Sequence, residues 1–194
     1  MILGITGPAG CGKDTVGTLL REYHEFNIDS FAKPLQTMVC NLLGYDHDKW
    51  ADREWREKKI ALWGCTPRYM AQTLGTEWGR DCIKKTLWMD LTFHEYILYA
   101  TNLAITDVRF PNEANRIREM GGHIIHVHRT QEDAGFCSAR AQHASEQGVQ
   151  VHASDFVINN FGTISALATQ VALVVDKIQE LNNEEIPDNL VSTR

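Results

Sequence analysis

The residues with the clearest chemical capacity stand at the start of the chain. Gly7-Pro8-Ala9-Gly10-Cys11-Gly12-Lys13-Asp14-Thr15 matches the pattern Gly-x-x-x-x-Gly-Lys. Glycines at Gly10 and Gly12 let backbone N–H groups turn inward around phosphate oxygens. A helix beginning just after them adds a partial positive charge at its N-terminus, and Lys13 can reach the outer phosphates of a nucleoside triphosphate. Asp14 stands where Ser or Thr is usual, with Thr15 next, so either residue could face magnesium, directly or through water. The loop specifies triphosphate binding and leaves open what is done with it.

Further cations stand where a second anion could be held. Arg68 and Arg80 lie in a Trp-rich middle region, Arg109 directly follows an apolar strand, and Arg129 and Arg140 flank or sit in a polar stretch. The carboxyl ends of strands are where open α/β sheets bind ligands. Asp107 ends the same strand and suits a carboxylate holding a magnesium-bound water, or else a turn residue paired with Arg109. Lys33 could reach a phosphate or be a solvated residue in a first helical turn. A phosphate acceptor, already largely anionic with a second pKa near 6, needs cations and exclusion of water more than a general base.

These groups require a scaffold of alternating strands and helices. Apolar runs predict strands at residues 2–6, 27–31, 103–106, 123–128 and 156–159. Helical spacing predicts helices at 14–23, from Lys33-Pro34 to about Gly44, from Thr66-Pro67 onward, at 111–120, and from Ile164 to Leu181. That alternation implies a three-layer α/β/α fold with about five parallel strands. One domain is expected over 1–182, with a helical insertion at about 34–100, a lid at about 129–150, and a polar tail over 183–194. His126 and His128 share a strand face that His123 does not, so the three do not converge on a metal.

Composition narrows the function classes. The chain has 194 residues, 43% of them hydrophobic and 23% charged, and a net charge of −6. That balance argues against DNA or RNA as the main partner. The five cysteines are odd in number and scattered, which argues against a disulfide framework or zinc site and suits a reducing cytoplasm. No signal peptide or run of apolar residues long enough to span a bilayer is evident.

Several segments together resemble the phage deoxynucleoside monophosphate kinases, within the nucleoside monophosphate kinase group of P-loop kinases. They are Gly-Lys-Asp-Thr at 12–15, Ser-Phe-Ala-Lys-Pro-Leu at 30–35, Thr-Pro-Arg at 66–68, and Leu-Gly-Thr-Glu-Trp-Gly-Arg at 74–80. Thr-Asp-Val-Arg-Phe-Pro-Asn-Glu at 106–113 and His-Ala-Ser-Glu at 143–146 complete the set. The resemblance implies ATP and magnesium, direct transfer to a deoxynucleoside monophosphate, and supply of DNA precursors, with the host cytoplasm as location for a phage protein.

It also implies that Arg68 and Arg80 contact the acceptor phosphate and that the stretch carrying Arg129 and Arg140 closes as a lid. Gln72, Glu77, Trp78 and Glu146 become candidate contacts to the acceptor base, although Trp78 could instead be core. The turn at 156–163 resembles one that packs on adenine, with the backbone near Asn159 and Gly162 reading the base edge. Simple helix capping by Gly162 and Thr163 explains the same residues. Members of the family can be dimers. The alternatives are a P-loop kinase for another small phosphorylated acceptor, such as dephospho-coenzyme A, and a regulatory NTPase that hydrolyses its nucleotide.

Overall fold

The computed structural model describes residues 1–99, 102–129 and 149–184. The chain divides into two compact units, residues 1–28 with 101–194, and residues 29–100.

The first unit is built on a five-stranded sheet in the order β2-β3-β1-β4-β5. Its strands are β1 (Ile2–Thr6), β2 (Asn27–Asp29), β3 (Leu103–Ile105), β4 (His123–His128) and β5 (Phe156–Asn159). The pairings of β1 with β3, β1 with β4, and β4 with β5 are parallel, with Leu3 opposite Ala104 and Ile125 opposite Phe156. Every residue of β1 is buried, as a central parallel strand requires when both faces are covered.

Alternation along β1 sorts its side chains into two layers. Leu3 and Ile5 join one core cluster with Val16, Leu19 and Leu20 of α1 (Lys13–His24) and Leu167, Val171, Val175 and Ile178 of α7 (Ile164–Glu184). The last four lie on one stripe of α7, and burying each contributes roughly 1.5–3 kcal/mol. Gly4 faces the other way. A Cβ there would stand 2.6 Å from the Ile117 Cδ1 of α6 (Pro111–Glu119), so the missing side chain leaves room for that helix's buried face on this side of the sheet. Helices therefore cover both faces, as the alternating pattern predicts.

Two strands are shorter than their apolar runs. β2 stops at Asp29 because the Asp29 carboxylate accepts the N–H of Ser30 at 2.8 Å, and Lys33 N–H reaches back to Ser30 O at 3.1 Å. That side-chain turn replaces further pairing. β3 stops at Ile105, although Val108 N–H still reaches Ile5 O at 3.2 Å.

The second unit is helical. α2 (Lys33–Leu42) starts with Pro34 in its first turn, and Gly44 follows it at φ +77°. A 3-10 turn (His47–Ala51) leads to α3 (Arg53–Glu57), capped by the Asp52 carboxylate on Trp55 N–H at 3.0 Å. Thr66 caps α4 (Pro67–Thr73) in the same way, through Tyr69 N–H at 3.0 Å. The chain then runs into a wide π-wound segment, Leu74–Ile83, before α5 (Leu87–Tyr99).

The π winding has a visible cause. Trp88 is 2% exposed, and its indole N–H donates to Gly75 O at 2.8 Å. A Cβ on Gly79 would stand 2.7 Å from the Trp88 Nε1 and Cε2. The two buried glycines thus admit the indole against the segment's backbone, and Lys84 N–H closes on Gly79 O five residues back at 2.9 Å. Phe31 and Phe93 meet edge to face at 5.7 Å within this unit's core.

Candidate functional site

In the first unit, β1 delivers the chain to its carboxyl end, where the Gly-rich loop turns it into α1. Gly7, Gly10 and Gly12 adopt φ of +145°, +79° and +103°, conformations that L side chains rarely tolerate. Two of them are also crowded. A Cβ on Gly7 would strike the Val127 carbonyl oxygen, and one on Gly12 would strike Asn160 Nδ2. The ammonium of Lys13 donates to Gly7 O and Pro8 O, each at 2.8 Å, so its charge is held across the loop.

The first turn of α1 leaves the N–H groups of Lys13, Asp14 and Thr15 without intrahelical partners, and no side chain caps it. No hydrogen bond from Gly12 N–H is found among the described residues either. A cation and a cluster of unused donors at a helix N-terminus form an anion site. Cys11 lies beneath, 2% exposed. Burial pushes its thiol pKa up against the opposing pull of Lys13, so it is a packed thiol and a poor nucleophile.

Asp14 is exposed at the helix start and Thr15 is half-buried. Asp107 is half-buried just beyond β3 and engaged with neighbouring groups. No cluster of three or more His, Cys, Asp or Glu able to hold a metal occurs among the described residues. Magnesium with a nucleotide needs only one or two protein groups beside the phosphates, and a hydroxyl or carboxylate at 14, 15 or 107 fits that need.

The turn carrying Asp107 and Arg109 depends on a residue that sequence reasoning passed over. Glu113 is 2% exposed, and its Oε2 accepts both Arg109 N–H at 2.8 Å and Phe110 N–H at 3.1 Å. The signal was present, since Glu at the third position of a helix that begins at Pro111 is a known return contact to the residues before it. The Arg109 side chain is exposed, as is that of Arg129 just after β4.

The loop from β5 to α7 is organised by amides. Gln170 accepts Asn159 N–H at 3.0 Å and donates to Asn159 O at 2.9 Å, so both backbone groups of Asn159 are paired within the chain. Asn160 donates through Nδ2 to Cys11 O at 2.9 Å. Thr163 accepts Ala166 N–H at 3.2 Å as the cap of α7, and Gly162 precedes it in an exposed turn. Neither Gln170 nor Asn160 carries a motif of its own. Their roles arise from contacts 11 and 149 residues apart in sequence.

In the second unit, Lys33 is 3.5 Å from Asp29 and Arg68 is 3.0 Å from Glu57. Partly exposed pairs of this kind contribute little to stability, so an anionic ligand can compete for either cation. Gln72, Glu77 and Trp78 are exposed and Arg80 is half-buried with partners of its own. Trp78 is 44% exposed, which removes the core reading of that residue. Arg140, Glu146 and most of the lid expected at 129–150 lie outside the described residues.

One further cluster involves His126. Asp155, with a fully buried side chain, receives Arg118 Nε at 2.9 Å and its terminal nitrogen at 2.7 Å, and His126 Nε2 lies 2.8 Å away. His152 N–H adds a donor at 2.8 Å. Burial pushes the Asp155 pKa up, but these partners outweigh it and hold the carboxyl below its ordinary value. Arg118 is thus an anchor to a buried carboxylate.

A family model described as deoxynucleotide monophosphate kinase matches residues 57–171. The chain is 30% identical, over 94% of its length and all of the relative's, to a protein of Acanthamoeba polyphaga mimivirus named provisionally as a deoxynucleotide monophosphate kinase. It is 24% identical to the deoxynucleoside-5'-monophosphate kinase of Escherichia phage T5, across 88% of this chain and 94% of that one. Among solved structures, shikimate kinase of Aquifex aeolicus matches with a TM-score of 0.51 at 10% identity, covering 93% of this chain and 99% of that one. That likeness concerns the fold alone. Among the described residues no helix is long and apolar enough to cross a membrane.

Proposed function

The chain belongs to the deoxynucleotide monophosphate kinase family, and from that premise we propose that it transfers the γ-phosphoryl group of ATP to a deoxynucleoside monophosphate, giving ADP and the diphosphate. The observation that carries the donor half is the loop from Gly7 to Thr15, with Lys13 and the unused N–H groups at the start of α1. Gly10, Gly12 and Lys13 cradle the β- and γ-phosphates. Their positive character grows in value as charge shifts onto the bridging oxygen during transfer. Magnesium supplies further charge neutralisation between the phosphates when bound, and Thr15, Asp14 and Asp107 are the residues that would hold it.

The acceptor half is assigned to the helical unit. Arg68 and Arg80, with Lys33, hold the acceptor phosphate. Gln72, Glu77 and the exposed Trp78 are offered to its base, joined by Glu146. Arg109 at the strand end and Arg129 and Arg140 of the lid neutralise the equatorial oxygens during transfer, and the lid excludes water so that ATP is not hydrolysed idly. Gly162 and the backbone beside it face adenine, Asn159 only once Gln170 releases it. The monophosphate attacks in line without a protein nucleophile or general base, because its own phosphate oxygen is already anionic. Such a reaction feeds DNA precursor synthesis and belongs in the cytoplasm, the host's if the chain is phage-encoded. A homodimer is compatible with the same chemistry.

A coupled ADP-release assay across deoxynucleoside monophosphates, ribonucleoside monophosphates and dephospho-coenzyme A tests this reading. It predicts ADP release that depends on a deoxynucleoside monophosphate. ADP appearing at the same rate with no acceptor, or only with dephospho-coenzyme A, overturns it.

A further inference from the structure

The peptide between Cys11 and Gly12 occupies a sensitive place in the phosphate loop. Its N–H belongs to Gly12 and meets no acceptor among the described residues, and its carbonyl belongs to Cys11. The bond is trans, so carbonyl oxygen and N–H point to opposite sides of one plane. Whatever holds the oxygen therefore aims the N–H. Such a plane flips by rotating ψ of the residue before it and φ of the residue after it. Glycine accepts either sign of φ at little cost, so Gly12, at φ +103° and ψ 22°, supplies no preference of its own. The freedom that lets the loop wrap phosphate would also let this donor turn away.

Asn160 removes that freedom. Its Nδ2 donates to Cys11 O at 2.9 Å and lies close enough to Gly12 to exclude a Cβ there. The residue is itself fixed. Its N–H donates to His128 O at 2.8 Å, which ties it to the end of β4 whether or not Gln170 holds Asn159. A rigid strand end thus presents one amide to one carbonyl of the loop.

We propose that Asn160 is a positioning residue for the donor nucleotide, acting through the Cys11–Gly12 peptide to keep Gly12 N–H directed at the phosphates. The assignment rests on the reading of the loop as the ATP site. It predicts a selective defect, because the acceptor does not use this peptide.

The test is steady-state kinetics of Asn160→Ala and Asn160→Asp, with ATP and the monophosphate varied separately and thermal melts run in parallel. Losing one such hydrogen bond should raise the KM for ATP about fivefold to tenfold, while the monophosphate KM stays within about twofold by the same reasoning. Asn160→Asp, nearly isosteric, should be worse, since it sets a carboxylate oxygen against the Cys11 oxygen and adds negative charge beside the phosphates. It also stands in should the alanine variant melt below the assay temperature. An unchanged ATP KM in both variants, or equal rises in both KM values, overturns the assignment. A wild-type protein whose rate shows no saturable dependence on ATP overturns the donor-site reading itself, and with it this proposal.

Discussion

Glu113 offers a direct way to test whether buried polar contacts set the geometry beside β3. Its carboxylate is 2% exposed, and one oxygen accepts Arg109 N–H at 2.8 Å and Phe110 N–H at 3.1 Å. Replacing Glu113 with Ala leaves both N–H groups without their acceptor in a partly buried setting. Hydrogen bonds to a charged group contribute about 1.5–3 kcal/mol each, and two that share an oxygen do not add fully, so the expected loss is roughly 3 kcal/mol. For a chain of this size that lowers the thermal midpoint by about 6–12 °C. Glu113→Gln keeps an oxygen in the same place and gives up mainly the charge, a loss of about 1 kcal/mol and 2–4 °C. Thermal unfolding of the three proteins followed by circular dichroism reads the ranking. A midpoint for Glu113→Ala within a degree of wild type would refute the reasoning, as would equal losses in the two variants. Because the same bonds shape the turn that presents Arg109, the alanine variant should also lose kcat at temperatures where it remains folded.

Two other perturbations follow from the packing. Gly79→Ala drives a Cβ into the ring of the buried Trp88 indole and should cost roughly 1–3 kcal/mol by overpacking; an unaltered urea midpoint would contradict that account of the π-wound segment. Asp155 is held below its ordinary pKa of 3.8 despite burial, by Arg118, His152 N–H and His126. A depressed carboxylate contributes stability that is complete above the unfolded value and is lost as pH falls through the folded one. Wild type should therefore lose stability below about pH 4 more steeply than Asp155→Asn, and parallel pH profiles would contradict the prediction.

Legibility in the sequence followed the range of the interactions. The loop at Gly7–Thr15 and the strands at 2–6, 123–128 and 156–159 are local patterns, and the structure has the same bounds for those three strands. The start of a helix at Thr66-Pro67 was equally local, and Thr66 caps it. β2 ended early because the Asp29 side chain competes with strand pairing for Ser30 N–H, a contest that apolar periodicity does not register. The π winding of 74–83 depends on Trp88 seated against Gly75 and Gly79, a tertiary cause invisible to a window of neighbouring residues. Asn160 and Gln170 were hidden for the same reason, since an amide in a polar turn has no signature until its partner is known. Glu113 is the exception, because its position after Pro111 was readable as a return contact.

The central claim is transfer between two nucleotides, and the fate of the γ-phosphorus tests it most directly. With ATP labelled at that atom and a deoxynucleoside monophosphate present, the account predicts label in the deoxynucleoside diphosphate, one equivalent for each ADP formed. Label that appears instead as inorganic phosphate, at a rate indifferent to the acceptor, would contradict it.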